Sequence, residues 1–115
     1  MSSKTFVVYI LASKRHGTLY VGMTSELLNR MRQHKAGSFP GFTKRHAVTK
    51  LVHHEGFDCA ESAIARERQL KKWRREWKIN LIETDNPDWQ DLAHNWDHPD
   101  FREDWGGITP PQAIG

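Results

Sequence analysis

The spacing of hydrophobic positions changes along this chain, and each change predicts a different element. Residues 5–12 form a β-branched and aromatic run centred on Phe6-Val7-Val8-Tyr9-Ile10-Leu11, and residues 18–23 repeat that texture after Lys14-Arg15-His16-Gly17. Two such runs around a glycine-bearing turn predict a hairpin. Leu27, Leu28 and Met31 then recur at helical spacing, with Thr24 or Ser25 as a cap and Gly37 as a stop, which predicts a helix over 25–36. Residues 37–49 hold Gly37, Pro40 and Gly41 among Lys44, Arg45 and His46, a basic connecting loop. A third strand follows at 50–55. Asp58 with Glu61 matches a capping box, and Ala63, Leu70, Trp73, Trp77 and Leu81 trace one apolar stripe, so a single long helix is expected to cover the sheet. Beyond Asn86-Pro87 the periodicity fades, yet Trp89, Leu92, Trp96, Phe101 and Trp105 predict that this segment docks in part on the body. The Gly- and Pro-rich end is expected to fray.

At 115 residues the chain is sized for one domain and one small core. A mean hydropathy of −0.73 and the lack of an 18-residue apolar run argue against a membrane span or membrane partner. The N-terminal run reads as a strand rather than a leader, and the expected location is cytoplasmic. A lone Cys59 rules out an intramolecular disulfide and a Cys-based zinc cluster. Charge is unevenly distributed. Residues 1–82 hold 16 Lys/Arg against 6 Asp/Glu, a net of +10, whereas residues 83–115 hold one Arg against eight acids, a net of −7. The chain therefore divides into a basic domain, 5–82, and an acidic, Trp-containing extension, 83–115. A basic body attracts polyanions through phosphate contacts and counterion release, which puts nucleic acid first among partner classes; a solvated surface with excess Lys and Arg is the alternative.

Within the basic body a few residues have chemistry as well as charge. Tyr9 and Tyr20 lie on predicted strands, where tyrosine is an ordinary packing residue, but Tyr20 precedes Val21-Gly22, and a glycine there permits close approach of backbone or substrate. Arg30 and His34 are one helical turn apart, so both emerge along one row beside the apolar stripe. A planar guanidinium contacts two phosphate oxygens at once and offsets charge that grows in a phosphoryl transition state. Glu67 is either the acidic half of an i,i+4 ion pair with Lys71, contributing only ~0.3 kcal/mol, or a carboxylate ligand for a cation that keeps most of its waters. Histidine spacing does not suit zinc: His94 and His98 lack a nearby third ligand, and adjacent strand residues His53 and His54 face opposite ways.

Taken in order, Val8-Tyr9-Ile10, Tyr20-Val21-Gly22, Arg30, His34 and Glu67 resemble the GIY-YIG nuclease domain over residues 5–82. Leu19-Tyr20-Val21-Gly22-Met23-Thr24, Arg66-Glu67-Arg68-Gln69-Leu70-Lys71-Lys72-Trp73 and Asn86-Pro87-Asp88-Trp89 have the texture of its small standalone members. The resemblance implies an α+β fold, in the broad sense α/β: a three-stranded antiparallel sheet flanked by helices, here followed by the acidic extension. It also implies a DNA endonuclease, with a role in repair or recombination, and one divalent cation, Mg²⁺ or Mn²⁺, on Glu67. By the same matching Tyr20 is the base or the phenol that positions the nucleophile, Tyr9 supports it, Arg30 stabilises the phosphorane, and His34 stands where the family places Tyr or His. This chain departs from the pattern in lacking the first glycine, at Val8, and in carrying Met23 where the excision-repair incision enzymes have a lysine. The family's late asparagine matches either Asn80 or Asn86.

Further assignments stay open at this point. A phenol with an ordinary pKa of about 10 needs cationic stabilisation to act as a base at neutral pH, whereas an imidazole near ~6.5 is the easier acceptor, so the base is Tyr20 or His34. Arg32, Lys35, Lys44 and Arg45 are expected to hold the DNA backbone, with RNA as a further possible substrate. The alternative to an enzyme is a noncatalytic nucleic-acid-binding or adaptor module that keeps the same fold.

Overall fold

The computed structural model describes residues 5–35 and 47–94, with side chains of all of these but Lys35. Among the described residues the order is β1 (Phe6–Ala12), β2 (Leu19–Thr24), α1 (Leu27–Lys35), β3 (Lys50–Phe57), α2 (Ala60–Lys72) and α3 (Arg75–Asp85). The strands form one antiparallel sheet in the order β2-β1-β3. The expected three-stranded antiparallel sheet flanked by helices is the observed fold.

Because strand side chains alternate, β1 feeds two cores. Val7, Tyr9 and Leu11 pack with Leu27, Leu28 and Met31 of α1, while Val8, Ile10 and Ala12 pack with Ala63, Leu70 and Ile82 of α2 and α3. Every β1 residue from Val7 to Ala12 is at most 1% exposed, so α1 shields one face of the sheet and α2 with α3 the other. The hairpin turn is closed by Ser13 N–H donating to the Thr18 carbonyl at 3.0 Å and Gly17 N–H to the Lys14 carbonyl at 2.9 Å. Its left-handed residue is His16, at φ 57°, rather than Gly17. Gly17 is needed for space instead, since a Cβ there would sit 2.4 Å from the Ser13 Oγ.

Two sequence-based expectations about the second half change. The single helix after Asp58 is two helices: Trp73 and Arg74 take extended backbone (ψ 150° and 154°), and Trp73 N–H bonds back to Leu70 at 3.2 Å. Unbroken over 58–82 it would run roughly 37 Å at 1.5 Å per residue, well past a sheet whose longest strand spans about 26 Å at 3.3 Å per residue. The break turns α3 back so that Ile82 reaches the core, and it leaves Trp77, placed by periodicity on the buried stripe, 48% exposed. The cap of α2 is Cys59, with no side-chain bond to the helix backbone, in place of the Asp58–Glu61 box.

Residues 86–94 close the fold against β3. Asn86, 6% exposed, donates through Nδ2 to the carbonyls of Val52 (3.1 Å) and Gln90 (2.9 Å), and its Oδ1 accepts from Gln90 N–H (3.0 Å). Asp91 Oδ1 accepts from Leu51 N–H at 3.1 Å, and Leu92 N–H donates to the Leu51 carbonyl at 2.8 Å. The outer edge of β3 is thereby covered at Leu51 and Val52. Trp89, 2% exposed, fills the core under α3 while its indole N–H donates to Glu83 at 2.7 Å. The docking expected of Trp89 and Leu92 is realised; Trp96, Phe101 and Trp105 lie outside the described residues.

Candidate active site

The candidate site is assembled on the α1 side of the sheet from residues far apart in sequence. Antiparallel register sets Tyr9 of β1 directly opposite Gly22 of β2, and Tyr20 opposite Leu11, so both phenols stand on the face that α1 covers. Gly22 is the residue that makes this possible: a Cβ there would lie 2.5 Å from the Tyr9 hydroxyl and 3.0 Å from the Tyr20 ring. Any side chain at 22 would have to displace one of the two tyrosines. The rings are tilted against each other with centroids 6.3 Å apart.

From α1, His34 packs against both rings and completes a triangle with them. Its ring centroid is 6.1 Å from that of Tyr9 and 5.8 Å from that of Tyr20, and its Nε2 is 3.4 Å from the Tyr9 hydroxyl. Arg30, one turn earlier, hydrogen-bonds the same hydroxyl. Tyr9 therefore accepts from the guanidinium and can donate to the imidazole, which ties the α1 row to the centre of the sheet.

The electrostatics of the cluster follow from burial next to a cation. The Tyr9 phenol is held well above the usual phenol range, chiefly because burial disfavours the phenolate, with Tyr20 adding to the effect and Arg30 opposing it. His34 is pushed down to about 4 by burial and by the Arg30 charge. The imidazole is thus neutral at physiological pH and a weak proton acceptor.

Glu67 comes from α2, which packs on both β1 and β2. Its charge is near enough to raise the Tyr9 phenol further. Its carboxylate also receives Lys71 Nζ at 3.1 Å, so the ion pair and the proximity to the tyrosines coexist. A groove of about 560 Å³ opens beside Arg30, lined by Met23, Thr24, Asn29, Arg32 and Gln33 among others. Arg32, exposed on α1, is at this groove, while the Lys35 side chain, Lys44 and Arg45 lie outside the described residues. Of the two candidate late asparagines, Asn86 is committed to backbone carbonyls and Asn80 is exposed on α3.

Among the described residues no group of three or more His, Cys, Asp and Glu could hold a metal ion. Glu67 as the single protein ligand remains compatible with a hard cation such as Mg²⁺, which retains its waters and takes phosphate oxygens.

A family model described as the GIY-YIG catalytic domain matches residues 5–80. The chain belongs to the GIY-YIG family. This assigns it a nuclease-type function and a nucleic-acid substrate. Among relatives of this GIY-YIG protein, the UPF0213 protein of Syntrophus aciditrophicus is 36% identical over 87 residues, covering 75% of this chain and 97% of that one. The UPF0213 protein of Haloquadratum walsbyi is 38% identical over 66 residues, 57% of this chain and 74% of its own. A UPF0213 protein of Streptococcus pneumoniae matches over 92% of this chain and 98% of its own at 29% identity. The solution NMR structure of a UPF0213 protein from Bacillus halodurans, 24% identical, aligns with a TM-score of 0.49 over 79% of this chain and 95% of that chain.

A second polar cluster on the opposite face has no counterpart in the sequence reading. Glu55 of β3 accepts two bonds from Arg66 of α2 (Nε 2.8 Å, Nη2 3.0 Å) and pairs with His53 Nε2 at 2.7 Å, which holds its carboxyl down at about 2. The only sequence signal for it is the i,i+2 spacing of His53 and Glu55.

Proposed function

We propose that this protein is a divalent-metal-dependent endonuclease that hydrolyses DNA phosphodiester bonds at the Tyr9/Tyr20/Arg30/His34/Glu67 cluster. The observation that carries this is the convergence of Arg30, His34 and Tyr9 in one hydrogen-bonded unit opposite a glycine that only close packing of two tyrosines explains. Arg30 binds the scissile phosphate and offsets the charge that grows on its oxygens. Tyr20, half-buried at the edge of the cluster, orients the attacking water through its hydroxyl. Tyr9 stays protonated and, with neutral His34, fixes the direction of the Arg30 guanidinium. Glu67 would hold the cation, which when bound supplies Lewis-acid polarisation of a phosphate oxygen. A role in DNA repair or recombination and a cytoplasmic location complete the proposal. Arg32 contacts the backbone from α1, and Lys35, Lys44 and Arg45 are assigned the same task.

A panel of branched, single-stranded and duplex DNA, with Mg²⁺ or Mn²⁺, tests this. Cleavage by the wild type and its loss in Arg30→Ala and Glu67→Ala is the expected result. If no substrate is cut by the wild type and spared by the variants, the enzyme assignment is wrong. The Lys71 contact on Glu67 favours one competing view, a noncatalytic nucleic-acid-binding module. Salt-sensitive DNA binding that ignores Glu67→Ala, without turnover, would establish that instead.

A further inference from the structure

The break between α2 and α3 creates a surface that the candidate active site does not use. Trp77, at 48%, is the large apolar side chain left exposed among the described residues. It meets Trp73 edge to face, with centroids 6.0 Å apart and planes at 87°. Trp73 is in turn supported from below: the Arg66 guanidinium lies 5.1 Å from its ring centroid and is itself clamped by both oxygens of Glu55. Above, the Arg74 guanidinium lies 5.6 Å from the Trp77 ring centroid. An apolar recess of about 260 Å³ runs beside the pair, lined by Asn80, Leu81 and Thr84.

This surface is also strongly cationic. Residues 71–78 contain Lys71, Lys72, Arg74, Arg75 and Lys78 against one acid, Glu76. Lys71 is engaged by Glu67, and Arg75 donates to the carbonyls of His16 and Gly17 at the hairpin turn. Lys72 and Arg74 are exposed next to the tryptophans. A braced aromatic ring flanked by cations suits a ligand that alternates flat π-faces with negative charge, and a nucleic-acid strand with unpaired bases is such a ligand. Trp73 lies six residues beyond Glu67, about 9 Å along the helix axis at 1.5 Å per residue, so a strand held at the active site has its flanking nucleotides within reach of this surface.

We propose that Trp77, braced by Trp73 and flanked by Lys72 and Arg74, is a stacking platform for an unpaired base of the nucleic acid bound by this protein. The proposal rests on the nucleic-acid assignment above and narrows it to substrates with a single-stranded segment. Base pairs of an intact duplex keep their faces stacked on one another and leave none for Trp77. An apolar peptide or a second copy of the chain would bury Trp77 without needing the cations.

The test uses full-length Glu67→Ala protein, so that binding is separated from cleavage, with a fluorescent oligothymidylate and a long duplex, whose two ends are few beside its interior pairs, as probes. Adding Trp77→Ala is expected to weaken oligothymidylate binding about five- to 150-fold, the range of one base-aromatic stack. Trp77→Phe should restore most of the affinity, and duplex binding should change less than twofold. The slope of log affinity against log salt should be unchanged by Trp77→Ala and fall by roughly 0.7 with Arg74→Gln, the value for one phosphate contact on a single strand. Unchanged oligothymidylate affinity in Trp77→Ala, or an equal loss on the duplex, would overturn the platform. A wild type that binds in this Trp77-dependent way but cleaves nothing would instead overturn the nuclease assignment and leave the platform standing.

Discussion

The two faces of the sheet each bury a histidine beside an arginine, and they differ in what accompanies the pair. On the α2 face Arg66 and His53 close on Glu55, so the cation has its carboxylate within the protein and Trp73 packs on the result. On the α1 face Arg30 hydrogen-bonds a neutral phenol, Tyr9, and His34 is held uncharged. One cluster neutralises itself and braces two helices against a strand. The other joins a guanidinium, a phenol and an imidazole beside a groove that Arg30 itself lines. β1 makes both possible, because alternate residues of one strand serve the two cores.

The contrast predicts that like substitutions on the two faces have unlike consequences. Arg30→Ala should lower single-turnover cleavage about 10³-fold, the scale of one transition-state donor, with a stability change under about 1 kcal/mol. Gly22→Ala should destabilise by about 2 to 3 kcal/mol in a denaturant titration, because the new methyl group overlaps the Tyr9 hydroxyl and neither strand can retreat. Loss of cleavage should accompany it. Arg66→Ala should cost about 2 kcal/mol of stability, less than a fully buried pair since both partners are partly exposed, and leave the cleavage rate of folded, substrate-saturated protein within threefold. An Arg66→Ala variant that folds normally yet cannot cleave would erase the division between the faces.

The smallest expected effect concerns pH. The folded-state pKa of His34, about 4, lies below the unfolded value of 6.5, so the unfolded chain binds more protons between them. The resulting stability is fully present above the unfolded value and is lost as pH falls towards the folded one. Thermal or urea unfolding should show about 1 to 2 kcal/mol less stability at pH 5 than at pH 7 from His34 alone, and His34→Gln should reduce the dependence by that share. His54, lowered by burial, contributes in the same direction.

Much of this architecture was legible in the chain because it is local. The hairpin and α1 announce themselves through β-branched runs, a turn and a 3.6-residue stripe, and the site residues follow the order of a known domain. What was not legible depends on contacts between distant segments. No Gly or Pro marks Trp73-Arg74, so the break leaves no local signal in the chain, and the stripe through Trp77 misleads for that reason. The pKa of His34 likewise comes from its burial against a strand 25 residues away. Asn86 and Asp91 look like ordinary turn residues until β3 is laid beside them.

Glu67, carried by α2 and acting electrostatically on Tyr9, is the proposed protein ligand for the metal of the Tyr9/Tyr20/Arg30/His34 cluster. The most direct measurement is the single-turnover cleavage rate as a function of Mg²⁺ concentration for the wild type and Glu67→Gln. The wild type should show a saturable Mg²⁺ dependence, and Glu67→Gln a rate at least about 100-fold lower, or a midpoint displaced to much higher Mg²⁺. Identical Mg²⁺ curves for the two proteins would contradict that assignment.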